Sequence, residues 1–175
     1  MRIILTSLII FIFCATSGYG QFLIPGEGIM DVKIGSDWDE VEWELGFKGN
    51  KIEKSDVGST LQFIALKAGI EYDYVVSYQH IMWLPVSDLF FKDDRIIMIQ
   101  ISSFPEYYKM LCADFGTVEG LNFWDDSGKV KEIYGNFDEL ENDGKSYFVY
   151  KEQGIGVEIL DNEVRAMLIF QRQME

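Results

Sequence analysis

The sequence predicts an α+β protein made of two similar units, each a helix followed by a three-stranded antiparallel sheet, packed together as one domain. Three observations carry this. A short helix signal closed by a glycine occurs twice, over residues 36–46 and 127–135. Runs rich in aromatic and β-branched residues, broken by Asp- or Asn-bearing turns, follow each helix. Sliding the C-terminal hairpin back by 69 residues lays Ser146-Tyr147 on Ser77-Tyr78, Asn162-Glu163 on Asp93-Asp94 and Met167 on Met98. Self-similarity in a fixed order is the mark of a duplicated supersecondary unit, here residues 29–102 and 103–171.

The chain of 175 residues opens with Arg2, an apolar run through Phe13 and small or polar residues to Gly20. That order is the secretory leader pattern, with cleavage expected at Gly20-Gln21 and a mature domain over residues 21–175. The apolar run is shorter than the roughly 20 residues a membrane-spanning helix needs, so no transmembrane anchor is expected after cleavage. Cys14 follows the bulky Phe13, which speaks against lipidation there. The expected location is periplasmic or extracellular.

Residues 29–34 alternate as a short strand after the Pro25, Gly26 and Gly28 loop. Ser36 is read as the cap of the first helix, with Asp39 three residues on, and Asp37, Asp39 and Glu40 favour its positive end. Trp38, Val41 and Leu45 share one face, and Gly46 stops the helix. The charged residues 50–58 read as loop and residues 60–68 as a helix. Strands are expected over residues 72–78, 86–91 and 95–102, with a turn at Lys92-Asp93-Asp94. Ser103 and Glu106 open a helix that runs to Gly116. A shorter helix covers residues 128–134, and strands follow over residues 147–151, 156–160 and 164–170, the last two joined across Asp161-Asn162.

The chain carries 29 acidic and 15 basic side chains, a net charge of −14 that becomes −15 when Arg2 leaves with the leader. Such a surface repels phosphate backbones, so nucleic acid is not an expected partner. After cleavage Cys112 is the one cysteine left, which excludes an intramolecular disulfide, and it reads as a buried thiol. His80 is the only histidine. One histidine and one cysteine support neither a zinc site nor a nucleophile with its base, so no metal, cofactor or catalytic residue is assigned. Asp125–Gly128 and Glu141–Gly144 invite a calcium reading, but with Gly144 at the sixth loop position the twelfth falls on Tyr150, where a bidentate carboxylate is required.

The remaining signal is aromatic. Tyr72, Tyr74 and Tyr78 alternate along one strand, Tyr147 lies on the matching strand of the second unit, and Trp43 lies off the helix face of Trp38, Val41 and Leu45. These five form the candidate interaction surface. Aromatic residues in strands serve either as contact hot spots or as scaffold.

A capped helix ending Leu-Gly, strands joined by short Asp-rich turns, and Asp161-Asn162 two residues before Val164 and the last strand resemble the β-lactamase-inhibitor-like and small outer-membrane-assembly lipoprotein superfamily. The likeness covers residues 34–46, 72–101 and 127–170. It implies tandem modules, exported and engaged with a protein partner. This chain departs from the inhibitor branch in lacking its disulfides, and Gly128 and Lys129 interrupt the start of the second helix. The functional expectation is an exported, non-enzymatic protein-binding or envelope-assembly module. The alternative is a small secreted hydrolase using carboxylates that the linear sequence does not place.

Overall fold

The computed structural model describes residues 22–46, 48–58, 62, 65–78, 86–103 and 115–173. The leader with Cys14, His80, and the helix expected from Ser103 apart from its two ends, with Cys112, lie outside the described residues.

The first helix, α1 (Trp38–Leu45), begins one residue later than Ser36 implies. Asp37 is the cap: its Oδ1 accepts from the Glu40 N–H at 2.9 Å, and Glu40 Oε2 accepts from the Asp37 N–H at 3.1 Å. This reciprocal box satisfies two donors that a helix start leaves without partners. Gly46 closes the helix in the left-handed region at φ 73°. The second helix, α2 (Ser127–Tyr134), is capped by Asp126, whose Oδ1 accepts from the N–H groups of Gly128 and Lys129. Gly128 and Lys129 therefore supply capped donors and do not interrupt the helix.

The strands are β1 (Phe22–Ile24), β2 (Gly28–Ile29), β3 (Val32–Lys33), β4 (Asn50–Glu53), β5 (Tyr74–Tyr78), β6 (Ser87–Lys92), β7 (Arg95–Ser102), β8 (Gly116–Thr117), β9 (Asp138–Asn142), β10 (Lys145–Tyr150), β11 (Ile155–Leu160) and β12 (Glu163–Phe170). Eight of them form one antiparallel sheet in the order β4-β5-β6-β7-β12-β11-β10-β9. A smaller sheet, β3-β2-β1-β8, joins the N-terminal hairpin to the second half, with β1 parallel to β8. A 3₁₀ turn covers Lys54–Asp56, and the described residues Gln62 and 65–67 are helical.

This corrects the expected architecture. The protein is mostly β, and it is not a pair of helix-plus-three-strand units. Each helix is followed by a four-stranded meander, and the two meanders merge through β7 and β12. The missing strands are the two edges. β4 reads Asn-Lys-Ile-Glu and β9 reads Asp-Glu-Leu-Glu-Asn, so each carries one apolar residue among charged or polar ones. Charged edges discourage pairing with other chains, and for the same reason they look like loop in a sequence.

The register also differs from the 69-residue slide. An offset of 68 takes the turn Asp93-Asp94 to Asp161-Asn162, all four residues at positive φ, and takes the bulge at Phe90/Phe91 to that at Glu158/Ile159. Under this offset Gln100 maps onto Leu168, and these two residues pair directly, so they mark the centre of a quasi-two-fold arrangement. The connection between β5 and β6 is longer than that between β10 and β11. Ser77 pairs with Asp88, and Val149 with Gly156, so β5 maps onto β10 with an offset of 72. Tyr78 thus corresponds to Tyr150, and Tyr147 to Val75. Because side chains alternate along a strand, an odd slip moves a residue to the other face.

Both faces of the large sheet are covered. The helical face buries Val41 of α1 and Val130 and Tyr134 of α2 against Val76, Leu89, Ile99, Ile101, Val157 and Ile169. The opposite face buries Val75, Phe90, Met98, Tyr147, Val149, Leu168 and Phe170 with Val57, Ala65 and Tyr72.

Candidate functional site

The five aromatic residues of the expected surface separate sharply. Tyr72, Tyr74, Tyr78 and Tyr147 are all buried, which corrects their assignment to an accessible contact surface; Trp43 is 84% exposed. Tyr72 meets Phe90 edge-on at 5.0 Å, and Lys54 lies 4.9 Å from its ring centre. Tyr74 stacks on Phe91 at 5.0 Å and donates its hydroxyl hydrogen to Asp94 Oδ1 at 2.9 Å. Burial, then the Asp94 carboxylate, pushes its ionisation well above the ordinary phenol range.

Tyr78 forms part of the floor beneath α1. Burial and the Glu42 charge push its hydroxyl up to about 12, partly offset by hydrogen bonds from Trp38 and from the Gly49 backbone. Gly49 is small of necessity, since a Cβ there would lie 2.7 Å from the Tyr78 ring and 2.3 Å from Val76. Tyr147 belongs to the opposite face. Its hydroxyl donates to Glu158 Oε2 at 3.0 Å, and burial with the Glu158 charge raises its ionisation strongly.

The surface that remains is built on α1. Val41 points into the core and Trp38 packs over Tyr74 at 6.2 Å. At about 100° per residue, Trp43 falls almost opposite Val41, flanked on the helix by Asp39 at i−4 and Glu40 at i−3. In α2 the position corresponding to Trp43, counting from the shared Val and closing Gly, is Glu132, which is exposed. A solvated residue suffices at that place in the fold. A large indole there is not explained by packing.

Beside α1 the turn between β2 and β3 approaches the helix end and leaves an apolar recess of about 40 Å³. Ile29, Val32, Leu45, Tyr78 and Leu89 line it, with exposed Met30, Asp31 and Glu44 also at the site. Met30 sits at φ 51°, a conformation uncommon for a long side chain, and is 43% exposed. Trp43 and Met30 are two of the four large hydrophobic residues that stand out on the described surface. Arg95 answers part of the acidity of α1, reaching Asp37 Oδ2 at 3.4 Å and Glu40 Oε2 at 4.0 Å.

Trp43 was legible in the sequence because it breaks the apolar stripe of its helix. Met30 and the recess were not, since they arise where a hairpin meets a sheet strand distant in sequence. The only signal near them was the alternation over residues 29–34.

Asp88 and Glu158 are the buried carboxylates among the described residues. Asp88 is held by Ser77, while Glu158 accepts from Lys145 and Tyr147. Neither lines the recess, nor the groove of about 330 Å³ between Gly69–Glu71 and Phe170–Gln173. The acidic stretches considered for calcium are structural: Asp126 caps α2, Asp125 accepts from the Asn122 N–H and pairs with Lys129, and Asp143-Gly144 form the β9–β10 turn. Among the described residues no group of three or more His, Cys, Asp or Glu is placed to hold a metal ion, and no helix is long and apolar enough to cross a membrane. No protein-family model, curated protein or solved structure matches this chain.

Proposed function

We propose that this chain is an exported, non-enzymatic protein-binding module, and that its docking surface is the outer ridge of α1 together with the recess beside it. The observation that carries this reading is Trp43, 84% exposed on a helix whose counterpart places a glutamate at the same position. Exposed tryptophan is the residue type most enriched among binding hot spots, and an adjoining recess gives a partner side chain somewhere to anchor. Export rests on the leader over residues 1–20, and the resemblance to the β-lactamase-inhibitor-like superfamily points to the same class. The hydrolase alternative gains no support from the geometry, because the buried carboxylates are engaged internally and line neither depression.

A photo-reactive residue placed at position 43, and in a control at position 132, tests the surface in the producing cell. The expected result is a discrete cross-linked protein from position 43 and none from position 132. Equal labelling from both, or none from position 43, overturns the assignment of the surface. Intact mass of the exported protein, lacking about twenty residues, checks the leader; a membrane-fixed form still starting at Met1 overturns export.

A further inference from the structure

Resting on the docking reading above, we infer that the partner presents a cationic segment carrying an aliphatic side chain: arginine or lysine over Trp43, and the aliphatic group in the recess. Three features of α1 and its surroundings converge on that chemistry.

The first is charge. Asp39, Glu40, Glu42 and Glu44 surround Trp43 on α1, and Asp31 adds a carboxylate at the recess. Arg95 contacts Glu40 and the cap residue Asp37, and among the described residues no ion pair engages Asp39, Glu42 or Glu44. The positions of α2 that correspond to Asp39, Glu40, Glu42 and Glu44 carry Gly128, Lys129, Lys131 and Ile133, so this acidity is particular to α1 and is not demanded by the fold. The net charge of −14 adds a long-range pull of the same sign.

The second is the indole itself. An aromatic face attracts a cation through its quadrupole, and tryptophan does so best. With Asp39 and Glu40 one turn back along the helix, a guanidinium stacked on Trp43 has carboxylates within reach of its N–H fork. The same arrangement repels an acidic or phosphorylated segment. It therefore selects between partners as well as binding one.

The third is the recess. Its lining of Ile29, Val32, Leu45, Tyr78 and Leu89 is apolar, and about 40 Å³ admits the end of a single side chain. Because Glu44 and Leu45 directly follow Trp43, a segment laid across α1 reaches the indole and the recess together. An apolar anchor surrounded by charge is the ordinary anatomy of a specific interface.

The test uses the whole mature chain and a short fluorescent peptide alternating arginine and leucine, beside a second with glutamate replacing arginine. Anisotropy should show binding of the basic peptide alone, weakened by added salt as exposed charges are screened. Trp43→Ala should weaken it by about tenfold or more. Glu132→Ala should leave it unchanged, and both variants should unfold at the wild-type midpoint. The double reversal Asp39→Lys with Glu44→Lys offers a second route, abolishing basic-peptide binding and admitting the acidic peptide. Equal binding of both peptides, or indifference to Trp43→Ala and to salt, overturns the inference. Cross-linking at position 43 to a partner whose contacting segment is acidic also overturns it, while leaving the docking reading intact.

Discussion

Glu158 lies directly opposite Tyr147 across the β10–β11 ladder, accepting the tyrosine hydroxyl at Oε2 and the Lys145 ammonium at Oε1, at 3.0 and 2.9 Å. The carboxylate is thus buried with both oxygens engaged. Truncation to alanine removes the acceptor for a buried hydroxyl and for a cation that is only a third exposed. Glu158→Ala should lower stability by about 2–4 kcal/mol, toward the lower end because Lys145 can turn to water. Glu158→Gln, which keeps an acceptor for Tyr147, should cost about half as much. Urea denaturation of the three proteins checks this; equal losses for both variants would show that the carboxylate charge, which both remove, decides and that the acceptor kept for Tyr147 contributes nothing.

Asp88 pairs across strands with Ser77 on one side and Gln100 on the other. Burial raises its carboxyl above the ordinary range, partly offset by the Ser77 hydrogen bond. Gln100 Oε1 is buried with no donor among the described residues. A protonated Asp88 can donate across the ladder to it. A carboxyl raised in the folded state binds its proton more tightly folded than unfolded, so its contribution favours folding at acid pH. That contribution falls as pH rises from the unfolded value of about 4 through the folded one. Asp88→Asn should remove this slope and stabilise the protein at neutral pH. Thermal unfolding followed from pH 4 to 8 checks it, and parallel curves for the two proteins would contradict it.

Gly154 ends the β10–β11 turn at φ 73°, and its carbonyl accepts from both Gly26 and Phe170. A Cβ there would lie 2.4 Å from the Phe170 carbonyl oxygen and 2.6 Å from the Gly26 Cα, both backbone atoms that cannot swing aside. Gly154→Ala should therefore cost more than the 1 kcal/mol typical of a left-handed position alone, on the order of 2–3 kcal/mol. Gly144 has a similar φ of 76° with open space around its Cβ direction. Gly144→Ala should show only the smaller loss, measured by the same denaturation.

Val41 and Val130 occupy corresponding places in α1 and α2, 1% and 0% exposed on the helical face of the sheet. Their truncation to alanine should cost similar amounts, about 1–3 kcal/mol each. The two sites are far apart in the chain and belong to separate helices, so the double variant should lose the sum. Equilibrium unfolding of the single and double variants tests both statements.

The helices were legible because their signals are local: an Asp cap, a valine inward and a glycine stop lie within ten residues of one another. Their starts were misplaced by one residue at α1 because Ser36 and Asp37 are both good caps, and the reciprocal partner Glu40 selects Asp37. Strands β5, β6, β7, β11 and β12 were legible from their buried runs. β4 and β9 were hidden because each carries a single apolar residue among charged and polar ones, which leaves no apolar alternation to read. The faces of the tyrosines depended on connection length and on two bulges, which shift register without a mark in residue type. Trp43 stood out by breaking a local pattern, whereas the recess at Met30 required knowing which strands meet.

Within the large sheet, β7 and β12 form the one ladder that unites strands from the two meanders, and every other ladder there joins neighbours in chain order. Parting them would uncover the edges carrying Ile99, Ile101, Met167 and Ile169, apolar where β4 and β9 are charged. Closing this ladder is the long-range, entropically slow event of folding, since local hairpins form first. In a concentrated refolding mixture, β7 of one molecule can meet β12 of another through the same register. The product is a domain-swapped dimer with native pairing throughout, and dilution before the ladder closes favours the monomer.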